Sequence, residues 1–193
     1  GETGVIAAWT PGGSGNFAYH SASNRTPALI DFFDRRPAAV VVDAAPAAAV
    51  CPPPPAGTST YAFSPYLNVS WTPAPVTATS LNLTFTFASA VGWWGFGVRP
   101  NTTSGMAGAD VWLMRWRDGA VTVNDSFAFR KGTPVLDASQ DVAVLSSYQS
   151  GGCTVAVLSR AIDSADTATD MPFNRTGETG VIAAWTPGGS GNF

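Results

Sequence analysis

Apolar and polar residues alternate along much of the second half of the chain. Every second residue from Leu81 to Phe87 is apolar, and the residues between them are Asn or Thr. A period of two places the two sets of side chains on opposite faces of a strand. The pattern therefore predicts a strand with one buried face.

Further apolar runs have the same character and are separated by turn sequences rich in Gly, Pro and Asn. They occupy residues 67–71, 91–98, 111–116, 120–123, 142–145, 154–158 and 181–185. No segment of ten or more residues carries the apolar stripe of period 3.6 that is typical of a helix. We therefore predict an all-β fold, a two-sheet antiparallel β-sandwich with immunoglobulin-like layering.

Residues 27–59 differ from this pattern because they are rich in Pro, Ala and Val. The four consecutive prolines Pro52–Pro55 have fixed φ angles and no backbone N–H donor, which favours an extended polyproline II segment. We predict a stiff linker over 27–59. The short apolar run 38–42 is compatible with an edge strand as an alternative.

The chain repeats its own beginning. Residues 1–17 and 177–193 are identical, each reading GETGVIAAWTPGGSGNF. One explanation is a duplicated segment, and the other is a chain of near-identical, domain-sized units of which this sequence is one window. We favour the second explanation, because Arg175 and Thr176 lead into the second copy without a break in pattern.

Charge and hydropathy exclude two classes of partner. The formal net charge is −3, the pI is about 4.9, and Lys131 is the single lysine, so no basic stripe is available for a nucleic-acid backbone. No uninterrupted apolar run approaches the roughly 20 residues that a bilayer span needs. We therefore expect neither a nucleic-acid partner nor a membrane span.

Glycosylation motifs and cysteines indicate an extracellular protein. Asn-X-Ser/Thr motifs predict N-linked glycans. They begin at Asn24, Asn68, Asn82, Asn101, Asn124 and Asn174. Cys51 and Cys153 are too far apart in sequence for a redox or zinc motif, which favours a disulfide that closes a long loop, with two free buried thiols as the alternative.

Glycine-rich motifs in the middle of the chain carry a family resemblance. Residues 92–98 read GWWGFGV and residues 105–111 read GMAGADV. Together with PVLD at 134–137 and the strand end SRAID at 159–163, they resemble the DOMON domain over roughly residues 66–170. The resemblance implies an extracellular β-sandwich whose last strand corresponds to residues 181–185.

The resemblance also implies two ligand hypotheses. Cytochrome-type DOMON domains hold a b-type haem between a methionine and a histidine, at positions matched here by Met106 and His20. Met106 alternatively fills a gap under the sheet. The family also has sugar-binding members, and an exposed tryptophan among Trp93, Trp94, Trp112 and Trp116 would suit a carbohydrate-binding module, while buried core tryptophan is the alternative.

Catalytic and metal motifs are weak by comparison. The sequence has no GxxxxGK[ST], HExxH or GxSxG motif, and His20 is its single histidine. Asp163, Asp166 and Asp170 offer oxygen ligands for calcium, but a solvated acidic turn is the favoured interpretation. We predict no catalytic residues, no metal site and no enzymatic activity, with haem as the alternative to an absence of cofactor.

The repeat and the family resemblance together predict how the chain is divided. The unit at 60–193 includes its own closing strand at 177–193, whereas residues 1–26 have the form of a closing strand for a neighbouring unit, joined by the linker 27–59. Units that join head to tail without closing form a fibre. We therefore predict a structural repeat in an extracellular, N-glycosylated filament of identical copies, assembled by β-strand complementation.

Overall fold

A computed structural model describes residues 28–30, 32, 51–90, 92–100 and 105–187, with only the backbone of residues 28–30 and 186–187. These ranges contain eleven strands and no helix. The strands are β1 (Ala28–Ile30), β2 (Ser59–Ala62), β3 (Leu67–Trp71), β4 (Ser80–Phe87), β5 (Gly92–Arg99), β6 (Ala109–Arg117), β7 (Ala120–Ala128), β8 (Val135–Leu136), β9 (Val142–Ser150), β10 (Cys153–Ala161) and β11 (Thr179–Pro187). No described segment is a helix long and apolar enough to cross a bilayer.

The strands form two antiparallel sheets that pack face to face. The six-stranded sheet has the order β1-β11-β5-β6-β7-β8, and the five-stranded sheet has the order β2-β3-β4-β10-β9. The predicted all-β sandwich is confirmed. The chain crosses from one sheet to the other between β1 and β2, between β4 and β5, between β8 and β9, and between β10 and β11.

Aromatic side chains fill the space between the sheets. Phe96 on β5 lies at the centre, with its ring centroid 5.2 Å from that of Phe85 on β4 and 5.2 Å from that of Trp112 on β6. Phe87 and Trp94 stack 5.1 Å apart nearby. Each residue comes from the inward-facing set of an alternating strand, so the predicted period of two accounts for this core.

The range predicted as a linker contains residues that belong to the sandwich. β1 pairs with β11, and the buried Phe32 packs against Trp71 and Phe173 with ring centroids 5.0 and 5.2 Å away. Phe32 becomes part of the core because it sits just beyond a strand that pairs with the sheet edge. The division at residues 27–59 stays a prediction, and the run 38–42 lies outside the described residues.

The two cysteines are joined. Cys51 and Cys153 form the predicted disulfide, with Cα atoms 5.5 Å apart and a sequence separation of 102. The bond ties the segment before the prolines Pro52–Pro55 to the first residue of β10. It therefore anchors the N-terminal approach to β2 on the five-stranded sheet.

The second copy of the repeat forms β11. This strand pairs along its length with β5, from Gly180 opposite Arg99 to Pro187 opposite Gly92. Its side chains are buried on both faces: Val181, Ala183 and Trp185 contribute to the core between the sheets, and Ile182 packs on the outer face. The first copy, residues 1–17, lies outside the described residues.

Candidate functional site

An acidic cluster lies between the two sheets, at one end of the core. It consists of Asp110, Asp125 and Asp170, which are 0%, 1% and 4% exposed, and we call it the acidic cluster. Asp110 on β6 and Asp125 on β7 face inward, because the residues next to them along each strand face outward. The inward-facing Trp112 on β6 lies opposite Asp125 on β7. Asp170 approaches from the connection between β10 and β11.

Arg160 on β10 links the acidic cluster to the five-stranded sheet. Its Nη2 atom lies 2.6 Å from Asp110 Oδ2 and 3.3 Å from Asp170 Oδ1, and Nη1 donates to the carbonyl oxygen of Met171 at 2.8 Å. The guanidinium also lies 5.8 Å from the ring centroids of both Trp112 and Phe173. These contacts fix one buried cation among three buried carboxyl groups.

The backbone around the cluster is positioned by short hydrogen bonds. Gln140 accepts from the amide of Asp125 at 3.0 Å and donates to its carbonyl at 2.9 Å. The amide of Asp141 donates to Asp125 Oδ2 at 3.2 Å, and the Ser164 hydroxyl donates to Asp141 Oδ2 at 2.6 Å. The loops before β9 and after β10 thus close the end of the sandwich over the cluster.

The carboxyl oxygens differ in how well they are satisfied. Asp110 Oδ1 accepts from Trp112 Nε1 at 3.0 Å, and its Oδ2 accepts from the Met171 amide at 3.4 Å. Asp125 Oδ1 and Asp170 Oδ2 are buried without a hydrogen-bond donor. An unsatisfied buried carboxylate oxygen is costly, so this cluster needs a further positive charge or protons.

The electrostatics of the cluster follow from its burial. Loss of hydration raises the pKa of Asp110 to about 8, against the attraction of Arg160 and with added repulsion from Asp125 and Asp170. Burial likewise raises the pKa of Asp125 to about 6 and raises that of Asp170. The Ser164 hydroxyl, by contrast, lowers the pKa of Asp141 at the rim.

Sequence reasoning did not find this cluster as a unit. Asp170 was considered together with Asp163 and Asp166, but the fold separates the three: Asp163 pairs with Arg175, and Asp166 accepts from the amide of Ala168 at 3.0 Å within its own turn. A usable signal was present in the strands. Asp110 and Asp125 each occupy a core-facing position of an otherwise apolar alternation.

A second feature is an apolar groove on the outer face of the six-stranded sheet. Met106 and Pro134 lie over this face and line the groove, which has a volume of about 30 Å³. The sheet side of the lining is formed by residues such as Trp93, Leu113 and Ile182, all of them mostly buried. The methionine singled out by sequence therefore lies at an apolar surface outside the main core.

The groove that the described residues form is smaller than a haem. Pockets for organic ligands have volumes of roughly 300–1,000 Å³, at least about ten times the volume of about 30 Å³ beside Met106. Trp93, Leu113 and Ile182 form the floor of this groove. Met106 is the one predicted axial ligand among the described residues, because His20 lies outside them, and we derive no chemistry from haem.

The four tryptophans that are candidates for stacking on a sugar lie on both faces of the six-stranded sheet. Trp94 and Trp112 are fully buried in the central core, and Trp116 is partly buried against it. Trp93 lies on the outer face but is only 5% exposed. Burial therefore keeps Trp93, Trp94 and Trp112 from stacking on a sugar, and the carbohydrate-binding hypothesis stays a prediction.

The predicted glycosylation sites fall on the surface where they are described. Asn82, Asn124 and Asn174 are exposed, and Asn68 is half-buried on β3. Asn68 and Asn82 share the outer face of the five-stranded sheet, since they alternate with the inward-facing Val69 and Leu83. Asn24 and Asn101 lie outside the described residues. Glycan attachment itself stays a prediction.

The fold and its buried ion pairs define a disulfide-linked β-sandwich domain. The DOMON domain family matches residues 68–186, and the chain belongs to this family, as its glycine-rich motifs predicted. The cytochrome domain of Myriococcum thermophilum cellobiose dehydrogenase is a solved structure of similar shape, with a TM-score of 0.49 and 12% sequence identity. The alignment covers 64% of this chain and 64% of that domain, less than two thirds of its length.

Proposed function

We propose that this DOMON domain is a structural unit of an extracellular filament, in which identical units join through their repeated strand. The repeated segment occurs twice in the chain. Its second copy contains β11, a strand of the sandwich that is buried on both faces. The same apolar residues recur in the first copy at residues 5–9. That copy needs an equivalent slot, which the preceding unit would provide.

The pairing of β11 supports a shared strand. β11 lies between β5 and β1, but β1 pairs only with Thr179, Gly180 and Val181. Within the described ranges, residues 182–187 have a strand partner on the β5 side alone. A strand held mainly along one edge exchanges between copies more readily than one paired fully on both sides.

Two features support an extracellular location for the filament. Cys51 and Cys153 form a disulfide, and structural disulfides persist mainly in oxidising compartments. Asn82, Asn124 and Asn174 are exposed in glycosylation motifs. Heavy glycosylation would keep the broad faces of the sandwich hydrated and direct assembly to strand edges.

We expect the unit to have no catalytic activity and no resident haem. The acidic cluster is closed to substrate-sized molecules, since its three acids are almost fully buried. Purified protein is expected to lack a Soret absorbance band, also after incubation with hemin. A band that appears with hemin and disappears in Met106→Ala would favour an electron-transfer function instead.

Strand complementation is tested with two truncated chains. A chain of residues 18–193 retains only the second copy and is expected to fold as a monomer. A chain of residues 1–176 retains only the first copy, so its sandwich lacks β11 and is expected to assemble head to tail by accepting the first copy of another chain. Analytical ultracentrifugation and electron microscopy measure both outcomes.

Matched controls identify the strand as the cause. A synthetic peptide of residues 177–193, in excess, is expected to convert assemblies of 1–176 into monomers. Val5→Asp in that chain should block assembly, because its counterpart Val181 is fully buried, whereas Glu2→Gln should not, because its counterpart Glu178 is exposed. A folded monomer of 1–176, or an unfolded one that the peptide does not rescue, would contradict the proposal.

A further inference from the structure

When its acids are ionised, the acidic cluster carries an excess of negative charge that the described residues do not balance. Asp110, Asp125 and Asp170 carry three negative charges when ionised, and Arg160 supplies one positive charge. Isolated charge in a protein interior is normally paired or bound to a metal. A divalent cation would neutralise the remaining two charges.

The geometry of the oxygen atoms suits such an ion. One oxygen from each of the three acids lies within 4.8 Å of the others. Two oxygens that bind one Ca²⁺ at 2.3–2.6 Å are separated by at most about 5 Å. The spacing of the three carboxyl groups is therefore compatible with binding of a common ion.

Two unpartnered oxygens provide an independent indication of a missing ligand. Asp125 Oδ1 and Asp170 Oδ2 are buried and lack any donor, although Asp125 Oδ2 and Asp170 Oδ1 are both engaged. One carboxyl oxygen of Asp110 also lies within 4.8 Å of one of Asp125. Two facing carboxyl groups at that range require either a shared proton or a cation between them.

We propose that the acidic cluster is a calcium site, formed by the side chains of Asp110, Asp125 and Asp170 between the two sheets. The ligands are all hard oxygen atoms with no imidazole or thiolate among them, which favours Ca²⁺ or Mg²⁺ over zinc and copper. Burial favours Ca²⁺ over Mg²⁺, because Mg²⁺ usually keeps several of its waters.

The site would link three separate parts of the chain. β6 and β7 supply Asp110 and Asp125, and the connection to β11 supplies Asp170. Arg160 already joins this group to the opposite sheet. An ion here would therefore hold the end of the sandwich closed where β11 enters the six-stranded sheet, independently of whether that strand is exchanged between units.

Terbium luminescence and thermal unfolding of the full chain test the proposal. Tb³⁺ replaces Ca²⁺ in such sites, and its luminescence is sensitised by a nearby indole. Trp112 is near enough, because its indole N–H donates a hydrogen bond to Asp110 Oδ1. We expect Tb³⁺ emission on excitation at the tryptophan band, its displacement by Ca²⁺, and an increase in Tm of several degrees in millimolar Ca²⁺ relative to EGTA, with a smaller effect of Mg²⁺.

Isosteric variants separate binding from folding. Asp125→Asn and Asp170→Asn are each expected to lower Ca²⁺ affinity at least tenfold, while in EGTA their Tm should equal or exceed that of the parent chain, since a buried charge has been removed. Asp163→Asn is the control, because Asp163 is exposed and paired with Arg175, and it should bind Ca²⁺ like the parent. Absence of a Ca²⁺-dependent Tm shift and of Tb³⁺ emission in the parent chain would overturn the proposal, as would unchanged affinity in both Asn variants.

Discussion

Two glycines on the same face of β5 differ in how closely other atoms approach them. A Cβ atom at Gly97 would lie 2.7 Å from Ile182 Cγ1 and 2.8 Å from the carbonyl oxygen of Asp110. A Cβ atom at Gly95 would meet Leu113 Cδ2 at 3.2 Å, the end of a flexible side chain. Glycine at 97 thus permits β5 to lie against its neighbours, while glycine at 95 is less critical.

Gly97→Ala is therefore expected to destabilise the domain more than Gly95→Ala. Overpacking against a backbone atom typically costs about 1–3 kcal/mol, and the displaced carbonyl belongs to Asp110 of the acidic cluster. Urea unfolding of both variants, followed by tryptophan fluorescence, measures the difference in free energy of unfolding. Equal stability of the two variants would show that β5 tolerates a side chain at either position.

The acids of the cluster make the stability of the metal-free domain depend on pH. Burial raises the pKa of Asp110 to about 8 and that of Asp125 to about 6, so between pH 4 and 8 the folded state retains protons that the unfolded state has released. The free energy of unfolding is therefore expected to fall as the pH rises through this range, by about 1.4 kcal/mol per pH unit for each proton retained.

Thermal unfolding in EGTA from pH 4.5 to 8.5 checks this dependence. Arg160, Asp125 and Asp170 all face Asp110, whereas the lowered pKa of the rim acid Asp141 acts only near and below pH 4. Asp110→Asn should flatten the profile, whereas Asp163→Asn should leave it unchanged. A Tm that rises steadily from pH 4.5 to 8.5 would show that the buried acids do not dominate.

At the scale of the strands, the sequence predicted the strands in which apolar and polar residues alternate, and it did not predict the short strands. Strands at β3 to β7 and β9 to β11 were expected from apolar periodicity, with boundaries that differ by a few residues. β1, β2 and β8 have two to four residues each, too few to show a period. β1 pairs with a strand distant in sequence, with Ile30 opposite Thr179, whereas β2 and β8 pair with the strands next to them in sequence, β3 and β7.

Hairpin turns were predictable for a chemical reason. Asp118 and Gly119 have φ angles of 53° and 87° and join β6 to β7 with Arg117 opposite Ala120. Positive φ at both central positions defines the two-residue turn that Asp-Gly favours. The acidic cluster has no comparable short motif. Polar residues at core-facing strand positions mark Asp110 and Asp125 one by one, but only the fold brings them together with Asp170.

The disulfide constrains these elements over a long loop. The bond joins residues 102 positions apart in the sequence, and closing a loop of about 100 residues is worth up to about 4.7 kcal/mol in the chain-entropy model. We expect the Cys51→Ser/Cys153→Ser variant to lose about 2–5 kcal/mol in urea unfolding. Dithiothreitol should destabilise the parent chain and leave the variant unchanged; a loss below about 1 kcal/mol would show that the prolines before β2 already hold this segment.

At the scale of the whole molecule, the positions of β1 and β11 limit how far apart joined units can lie. In the proposed filament, the first copy fills the β11 slot of one unit, and β1 of the same chain pairs with β11 of its own unit. The residue that corresponds to Pro187 is Pro11, and only residues 12–27 separate it from β1. A segment of this length spans at most about 60 Å when fully extended.

This limit gives a measurable spacing. A domain of this size has a diameter of about 36 Å if treated as a compact sphere, so the centres of neighbouring units should lie between about 36 and 100 Å apart. Negative-stain electron microscopy of assemblies formed by residues 1–176 measures the spacing directly. Insertion of ten Gly/Ser residues after Thr26 should widen its distribution, while the same insertion after Gly132, in the loop before β8, should not. A spacing that does not change with the insertion after Thr26 would mean that the units are joined by a surface other than the repeated strand.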